Sequence, residues 1–295
     1  MSWVETYRGV VNRWEVDNVD HFTVAFYFAR FEDAALDLSR RMGLDPESLQ
    51  RSGRATATLS CRVRYLRELR LADILHIRSG VVGLDGDLLV LAHELYDSGD
   101  GTLCTTLEQR VALVEIGVRA PLPLGPAERD AALARRVEWS PAPDGPPFPE
   151  PVGAGAFIDA TRDIIRPGEV DASGQATLAA FVHRFSSAIG HVIAGFGMTP
   201  AYMRDERRGF STFEFRLRFP GTARAGDAIL VRSALVHIGN SSVRILHRMT
   251  NQRTGGEVAS LEQSGVHLDL DARRPSPLPE SLRERAKEML GAAHR

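Results

Sequence analysis

The sequence predicts an α+β fold built twice, each copy a long buried helix wrapped by an antiparallel sheet. Three observations point to it. Residues 15–109 fall on residues 169–263 at a constant offset of 154, without a gap, and about a quarter of the positions are identical. Both copies open alike, an acidic turn running into a helix: EVDNVDHFTVAFYFARFEDAALDLSRRMGL over Glu15–Leu44 and EVDASGQATLAAFVHRFSSAIGHVIAGFGM over Glu169–Met198. After each helix the pattern changes to a period of two, rich in Val, Ile and Leu, as half-buried strands require.

The elements follow in order. A short strand precedes each turn. From Ala176 to Phe196 charged side chains nearly vanish, so this helix is expected to be buried on most of its circumference. Ala55–Tyr65 and Phe210–Phe219 alternate apolar residues with polar ones or arginine, and Ile74–Leu84 and Ala228–Ile238 follow. Leu88–Tyr96 and Ser242–Thr250 come next, then Asp97–Thr102 and Asn251–Gly256 as hairpin turns. Thr105–Ile116 and Ala259–Leu270 close each sheet, which reads as a four-strand meander around the helix. Between the copies, Pro141–Pro147 marks a linker, with a short helix over Pro126–Trp139 inside the same region. Glu280–Leu290 reads as a terminal amphipathic helix. The expected division is an N-terminal copy over 1–118, a proline-rich linker with a short helix over 119–154, and a C-terminal copy with its terminal helix over 155–295. Both short helices should pack on the outside of their own copies.

Composition narrows the function classes. A net charge of −2 gives no electrostatic case for nucleic acid or a membrane surface. No apolar run is long enough to span a bilayer, and the start MSWVETYRGV lacks a signal-peptide pattern, so a cytoplasmic protein is expected. Cys61 and Cys104 stand where the other copy has Phe215 and Val258, which favours buried reduced thiols over a disulfide. No metal-binding pattern and no glycine-rich phosphate loop occurs. Lys287 is the single lysine, so phosphate recognition would fall to the arginines.

An aspartate lies about one turn before each helix, Asp17 and Asp171, near free backbone N–H groups and the positive end of the helix dipole. Two roles are open to it: a cap on those amides, or a general base or nucleophile beside an oxyanion site. His93 and His247 sit at equivalent mid-strand positions and read as packing residues, and His191 reads as a core histidine on the second helix.

The turn at Asp171–Gly174, the long helix, the Gly226-Asp227 turn and the following Gly239-Asn240-Ser241 together resemble the hotdog fold. Specifically, the chain resembles the 4-hydroxybenzoyl-CoA thioesterase-like branch, doubled into a double hotdog. Its first half is similar to the carnitinyl- and betainyl-CoA thioesterase type through Thr58–Glu68 (TLSCRVRYLRE), Gly83–Tyr96 and Leu107–Glu115 (LEQRVALVE). The resemblance implies an acyl-CoA thioesterase, with coenzyme A arriving as part of the substrate and no separate cofactor. It implies Asp171 as base or nucleophile, with Glu214 sharing that role, and Asp17 as its counterpart. Gly174 would let substrate approach, amides from Gln175 to Leu178 would hold the oxyanion, and His183 would face the acyl pocket or remain a core histidine. Gln109 and Gln263, beside Glu108 and Glu262, would line a pocket between the copies or pair across the sheet. His21 falls at the family's common Gly-His position. Arg216, Arg218, Arg232, Asn240, Ser241 and Ser242 would meet the phosphates of coenzyme A.

The first copy departs from the family pattern: Asp20 replaces the glycine and Ser60 the glutamate. A carboxylate at Asp20 would crowd the oxyanion, so the second copy is expected to hold the better preserved site. Two other readings stay open. One is a hotdog dehydratase or hydratase using His21 and Glu32, although the proline-rich turn of those families is missing. The other is a non-catalytic acyl-thioester binder. Acyl-carrier-protein thioesterases are also double hotdogs, but their asparagine-histidine pattern is absent at Ala172–Gln175. A homodimer is open as well.

Overall fold

The computed structural model describes residues 3–17, 19–140, 143, 147–151 and 156–293. The first half runs β1 (Val4–Val10), α1 (Val24–Arg41), α2 (Pro46–Arg51), β2 (Arg54–Tyr65), β3 (Ile74–Asp85), β4 (Leu88–Asp97), β5 (Leu103–Glu115), β6 (Pro121–Leu122) and α3 (Pro126–Leu133). The second half repeats the order with β7 (Ile158–Ile164), α4 (Leu178–Gly195), α5 (Pro200–Asp205), β8 (Arg208–Arg218), β9 (Ala228–Ile238), β10 (Ser242–Asn251), β11 (Glu257–Asp269), β12 (Arg274–Pro275) and α6 (Glu280–Ala293). Most of the Pro141–Pro147 linker lies outside the described residues.

All the strands join one antiparallel sheet in the order β1-β3-β4-β5-β2-β8-β11-β10-β9-β7, with β6 on β5 and β12 on β11. The halves meet edge to edge where β2 pairs β8, in the register Arg62 opposite Arg216. This pairing covers two edges that would otherwise present unpaired N–H and C=O groups. Within each half the expected four-strand meander is only partly formed. β3, β4 and β5 are consecutive neighbours, but β2 pairs the far side of β5 instead of β3. The chain from Leu66 to Asp73 makes that crossing, burying Leu69 in the core and tying its backbone to the turn before α1 through Phe22 N–H to Leu69 O (2.7 Å).

The two long helices pack against each other and against the inner sheet face. A single cluster holds Phe28, Phe31 and Leu107 from one half together with Phe181, Phe185, Phe215 and Leu261 from the other. Each such side chain contributes about 2–3 kcal/mol when fully buried, so the halves share a core and do not behave as separate beads. α4 is less enclosed than its composition suggested: His183, Ser187, Gly190 and His191 form an exposed stripe. A buried ion pair anchors each helix to its turn. Arg184, 1% exposed, donates to Glu169 (2.9 Å) and to the carbonyls of Ala180 and Ile164. Arg30 meets Glu15 in the same way.

Alternation sends Glu108, Arg62, Arg64, Glu214 and Arg216 to the outer face, opposite the helices. Trp139 and Pro143 of the linker touch that face. Pro143 O accepts from Arg62, Trp139 Nε1 donates to Glu108 (3.1 Å), and Arg232 and Arg248 stack on Phe157. α3 packs on β3 and α6 on β9, each on its own half as expected. Cys61 and Cys104 are free and buried.

Candidate active site

Both helix starts are built from the same turn. Asp171 Oδ1 accepts from Ser173 N–H (2.8 Å), Ser173 Oγ (2.6 Å) and Gln175 N–H (3.1 Å). Asp17 Oδ1 accepts from Val19 N–H (2.9 Å) and His21 N–H (3.0 Å). Each aspartate therefore closes its own turn and does not cap the helix amides, and neither Oδ2 has a hydrogen-bond partner among the described residues. Gly174 takes a left-handed conformation (φ 77°), and Asp20 adopts the same one (φ 61°) despite its Cβ. The Asp20 carboxylate is turned to solvent, 3.5 Å from Arg13. The crowding expected of it is not present.

The helix starts differ in what meets their amides. At α4, Leu178 N–H donates to Glu32 Oε1 (2.6 Å) and Ala179 N–H to Glu32 Oε2 (3.1 Å), while Thr177 Oγ accepts from Ala180 N–H (3.1 Å). Glu32 belongs to α1, so the first half supplies the acceptor for the second. Burial pushes its carboxyl up to about 7, Asp171 adding in the same direction, against the pull of the two N–H groups. The amides expected to hold an oxyanion are occupied. The cavity there is about 130 Å³, bounded by Asp171, Gln175, Thr58, Gln109 and Arg119. Both amide atoms of Gln175 are buried without a partner among the described residues, and Arg119, drawn down to about 10 by burial, donates to the Thr58 carbonyl.

At α1 the counterpart of Glu32 at the 154 offset is Ser186, which lines the cavity and accepts from neither amide among the described residues. Among the described residues Val24 N–H and Ala25 N–H have no acceptor, and Thr23 supplies no side-chain cap. Val24 borders a cavity of about 1080 Å³ between the halves, and the Ala25 N–H follows it in the chain. Asp17, His21, Glu68 and Arg273 line it near the helix start, and Phe22, Tyr27, Tyr65, Phe210, Phe213 and Phe215 make its aromatic walls. Arg67, Arg204, Arg207 and Arg208 also line it. His21 Nε2 lies 2.6 Å from Glu68 Oε2 and 2.7 Å from Arg273 Nη1, so it donates to the carboxylate when protonated there and accepts from the guanidinium when not.

Several sequence expectations are corrected by these positions. Glu214 is not beside Asp171: its carboxylate is on the outer sheet face, bound by Arg62 (2.8 Å) and Arg216 (2.7 Å). The β8 bulge at Phe213 leaves Thr212 lining the large cavity instead. His183 is exposed and faces no acyl pocket. Of the residues expected on coenzyme A, Arg216 pairs with Glu214, Arg218 is exposed at the β2–β8 seam, and Arg232 stacks on Phe157. Asn240, Ser241 and Ser242 hold the chain around α6: Asn240 O accepts from Leu278 N–H, Ser241 O from His267 N–H and Ser242 O from Gly239 N–H. None of these six lines either interface cavity. His21 and Glu32 lie in different cavities, so the pairing a dehydratase would need is not formed. Gln109 and Gln263 do line the two cavities, one each. Extending the repeat past residue 109 would have revealed Arg119 and Arg273, which obey the same offset and occupy matching places in the two cavities.

The model of the thioesterase-like superfamily matches residues 11–154 and again 165–286. The chain belongs to that family. Its membership agrees with the doubled hotdog architecture and with a thioester hydrolase as the enzyme class. A betainyl-CoA thioesterase of Pseudomonas aeruginosa is 32% identical over 138 residues, covering 46% of this chain and 86% of that protein. Among solved structures, a Lactobacillus plantarum protein assigned as an oleoyl thioesterase superposes with a TM-score of 0.73 at 13% identity, covering 95% of this chain and 98% of that one. A 12:0-ACP thioesterase from Umbellularia californica superposes at 0.67 with 10% identity, covering 88% and 94%. These two likenesses concern the fold. No helix among the described residues is long and apolar enough to cross a membrane.

Proposed function

We propose that the protein is an acyl-CoA thioesterase whose working centre is the large cavity at the start of α1. The observation that carries this reading is the contrast between the helix starts. The Val24 and Ala25 amides are unoccupied where Val24 meets a roomy cavity, whereas Glu32 fills the corresponding place at α4. Two N–H groups at a helix N-terminus suit the oxygen of a tetrahedral intermediate, and one such donor is worth about 3–4 kcal/mol at the transition state. Asp17, held by its turn through Oδ1, keeps Oδ2 for a water molecule. It takes a proton from that water as the oxygen attacks the thioester carbon, and the negative charge moves to the carbonyl oxygen at Val24 and Ala25. Collapse breaks the C–S bond, and the departing thiolate recovers the proton from Asp17. The aromatic walls would hold the acyl group and Arg204 would meet the phosphates, joined by Arg67 and Arg207 on leaving their exposed ion pairs with Asp100 and Asp271.

The carrier is read as coenzyme A because the curated relative acts on a CoA thioester and the cavity gathers guanidiniums. Thiol release from straight-chain, aromatic and quaternary-ammonium acyl-CoAs, measured for the wild type, Asp17→Asn and Asp171→Asn, tests the proposal. Asp17→Asn should lower kcat by about 10²–10⁴-fold, while Asp171→Asn stays within a few-fold. The reverse ranking would move the centre to α4. Full activity in both variants would remove aspartate chemistry from the account.

A further inference from the structure

Each half contains a buried chain of four identical residues that spans the sheet and ends at an interface cavity. In the second half Ser233 Oγ lies 2.7 Å from His247 Nδ1, His247 Nε2 lies 3.1 Å from Gln263 Oε1, and Gln263 Nε2–H donates to Thr212 Oγ1 at 2.8 Å. In the first half Ser79 Oγ lies 2.6 Å from His93 Nδ1, Gln109 Nε2 lies 3.1 Å from His93 Nε2, and Thr58 Oγ1 lies 3.4 Å from Gln109 Oε1. Both histidines are fully enclosed, and burial draws them down to about 3 for His93 and about 4 for His247, so each ring carries a single proton at neutral pH. The two chains are the same in composition and opposite in direction.

The direction follows from donor and acceptor chemistry. Gln263 Oε1 can only accept, so His247 holds its proton on Nε2 and Ser233 donates to Nδ1. Thr212 receives Gln263 Nε2–H, and its own proton has no acceptor among the described residues. Gln109 Nε2 can only donate, so His93 Nε2 accepts and Nδ1–H points to Ser79. Ser79 passes its proton to Thr6 Oγ1 (2.6 Å), which donates to the Ile77 carbonyl (3.4 Å). Thr58 spends its proton on Gln109. What differs between the halves is the residue at the bulge of the first strand: Thr6 gives the first chain an outlet to a carbonyl, and Ala160 gives the second none.

We propose that Thr212 is a catalytic hydrogen-bond donor of the large cavity, aimed at the acyl carbonyl oxygen of the substrate, and that the Thr6/Ala160 difference sets this polarity through the histidine chain. Ser233, His247 and Gln263 are positioning residues that act through Thr212. The small cavity receives an acceptor from Thr58 in place of a donor. The inference rests on the thioesterase reading for the identity of the ligand, but the polarity stands on the chains themselves.

Nitrogen-15 NMR of the histidine rings in the full, unliganded chain reads the polarity without any activity assay. His247 should be the Nε2–H tautomer and His93 the Nδ1–H tautomer. Ala160→Thr should convert His247 to Nδ1–H, and Thr6→Ala should convert His93 to Nε2–H. The same tautomer in both wild-type histidines overturns the polarity. In thiol release, Thr212→Val and Ala160→Thr should each lose about 10²-fold in kcat, Thr212→Ser should keep activity, and Thr6→Ala should leave it unchanged. Full turnover in Thr212→Val overturns the donor role. If no acyl-CoA is hydrolysed, binding of a non-hydrolysable acyl-CoA ketone decides instead. Weakening by Thr212→Val and not by Thr212→Ser supports the donor, and equal affinity in the two variants overturns it while the tautomers remain interpretable.

Discussion

Glu32 should make the stability of this protein depend on pH in an unusual direction. Its carboxyl is pushed from 4.5 up to about 7 in the folded state, chiefly by burial. In the unfolded chain it returns to its ordinary value, so the folded state binds the proton more tightly. Stability from this group is therefore fully present below about 4.5 and is lost as pH rises to about 7, the opposite of a salt-bridged carboxylate. A shift of this size corresponds to about 3 kcal/mol, and the small adjoining cavity, by admitting water, reduces the expectation to about 2 kcal/mol. Glu32→Gln removes the titration while keeping one acceptor for the Leu178 or Ala179 amide, and should itself cost about 1–2 kcal/mol at low pH for the amide left unpaired. Urea unfolding of both proteins at pH 5 and pH 8 isolates the effect, since every other titrating group cancels in the difference. The wild type should lose about 2 kcal/mol more than the variant across that interval. Parallel losses would mean that Glu32 stays ionised on the α4 amides as a simple cap, and the reasoning from burial would be wrong.

Other consequences follow from single contacts. Arg184→Met takes from Glu169, a quarter exposed, its buried partner while leaving it the Arg166 N–H, and should destabilise the protein by about 1–3 kcal/mol in urea; a loss below about 0.5 kcal/mol would show that the pair is dispensable. Arg204→Ala and Arg207→Ala at the large cavity should raise KM for acyl-CoA several-fold, with kcat within about twofold and the effect shrinking at high salt; an unchanged KM would place the phosphates elsewhere. Asp20→Gly relieves a left-handed conformation and should stabilise by roughly 1 kcal/mol without changing activity. A gain in kcat would mean that the carboxylate does reach the oxyanion site.

The repeat made most of the fold legible. Offset pairs such as Glu15/Glu169 and Arg30/Arg184 turned out to be the ion pairs that hold helix to turn, and the strand limits differ from the alternating patterns by a residue or two. The place of β2 beside β8 was not readable, because a period of two says which face a strand buries and nothing about its neighbour. At the site, Asp17 and Asp171 were visible from their position before a helix. The occupation of the α4 amides by Glu32 was hidden, because it depends on a contact between residues 146 apart in sequence. Glu214 misled for the opposite reason: a motif position fixes a residue on a strand, but the bulge at Phe213 decides which face it takes. The exchange of Glu32 for Ser186 is nonetheless a difference visible in the aligned copies. It marks an asymmetry between the helix starts separate from the one made by Asp20 and Gly174.

The central claim is that chemistry occurs at the start of α1, and a crystal structure with a non-hydrolysable ketone analogue of an acyl-CoA tests it most directly. The account predicts the ketone oxygen within hydrogen-bond distance of Val24 N and Ala25 N, the acyl group among Tyr27, Tyr65 and Phe215, and the phosphates near Arg204 and Arg207. A ketone bound instead to Leu178 N and Ala179 N, with Glu32 displaced from them, would contradict it.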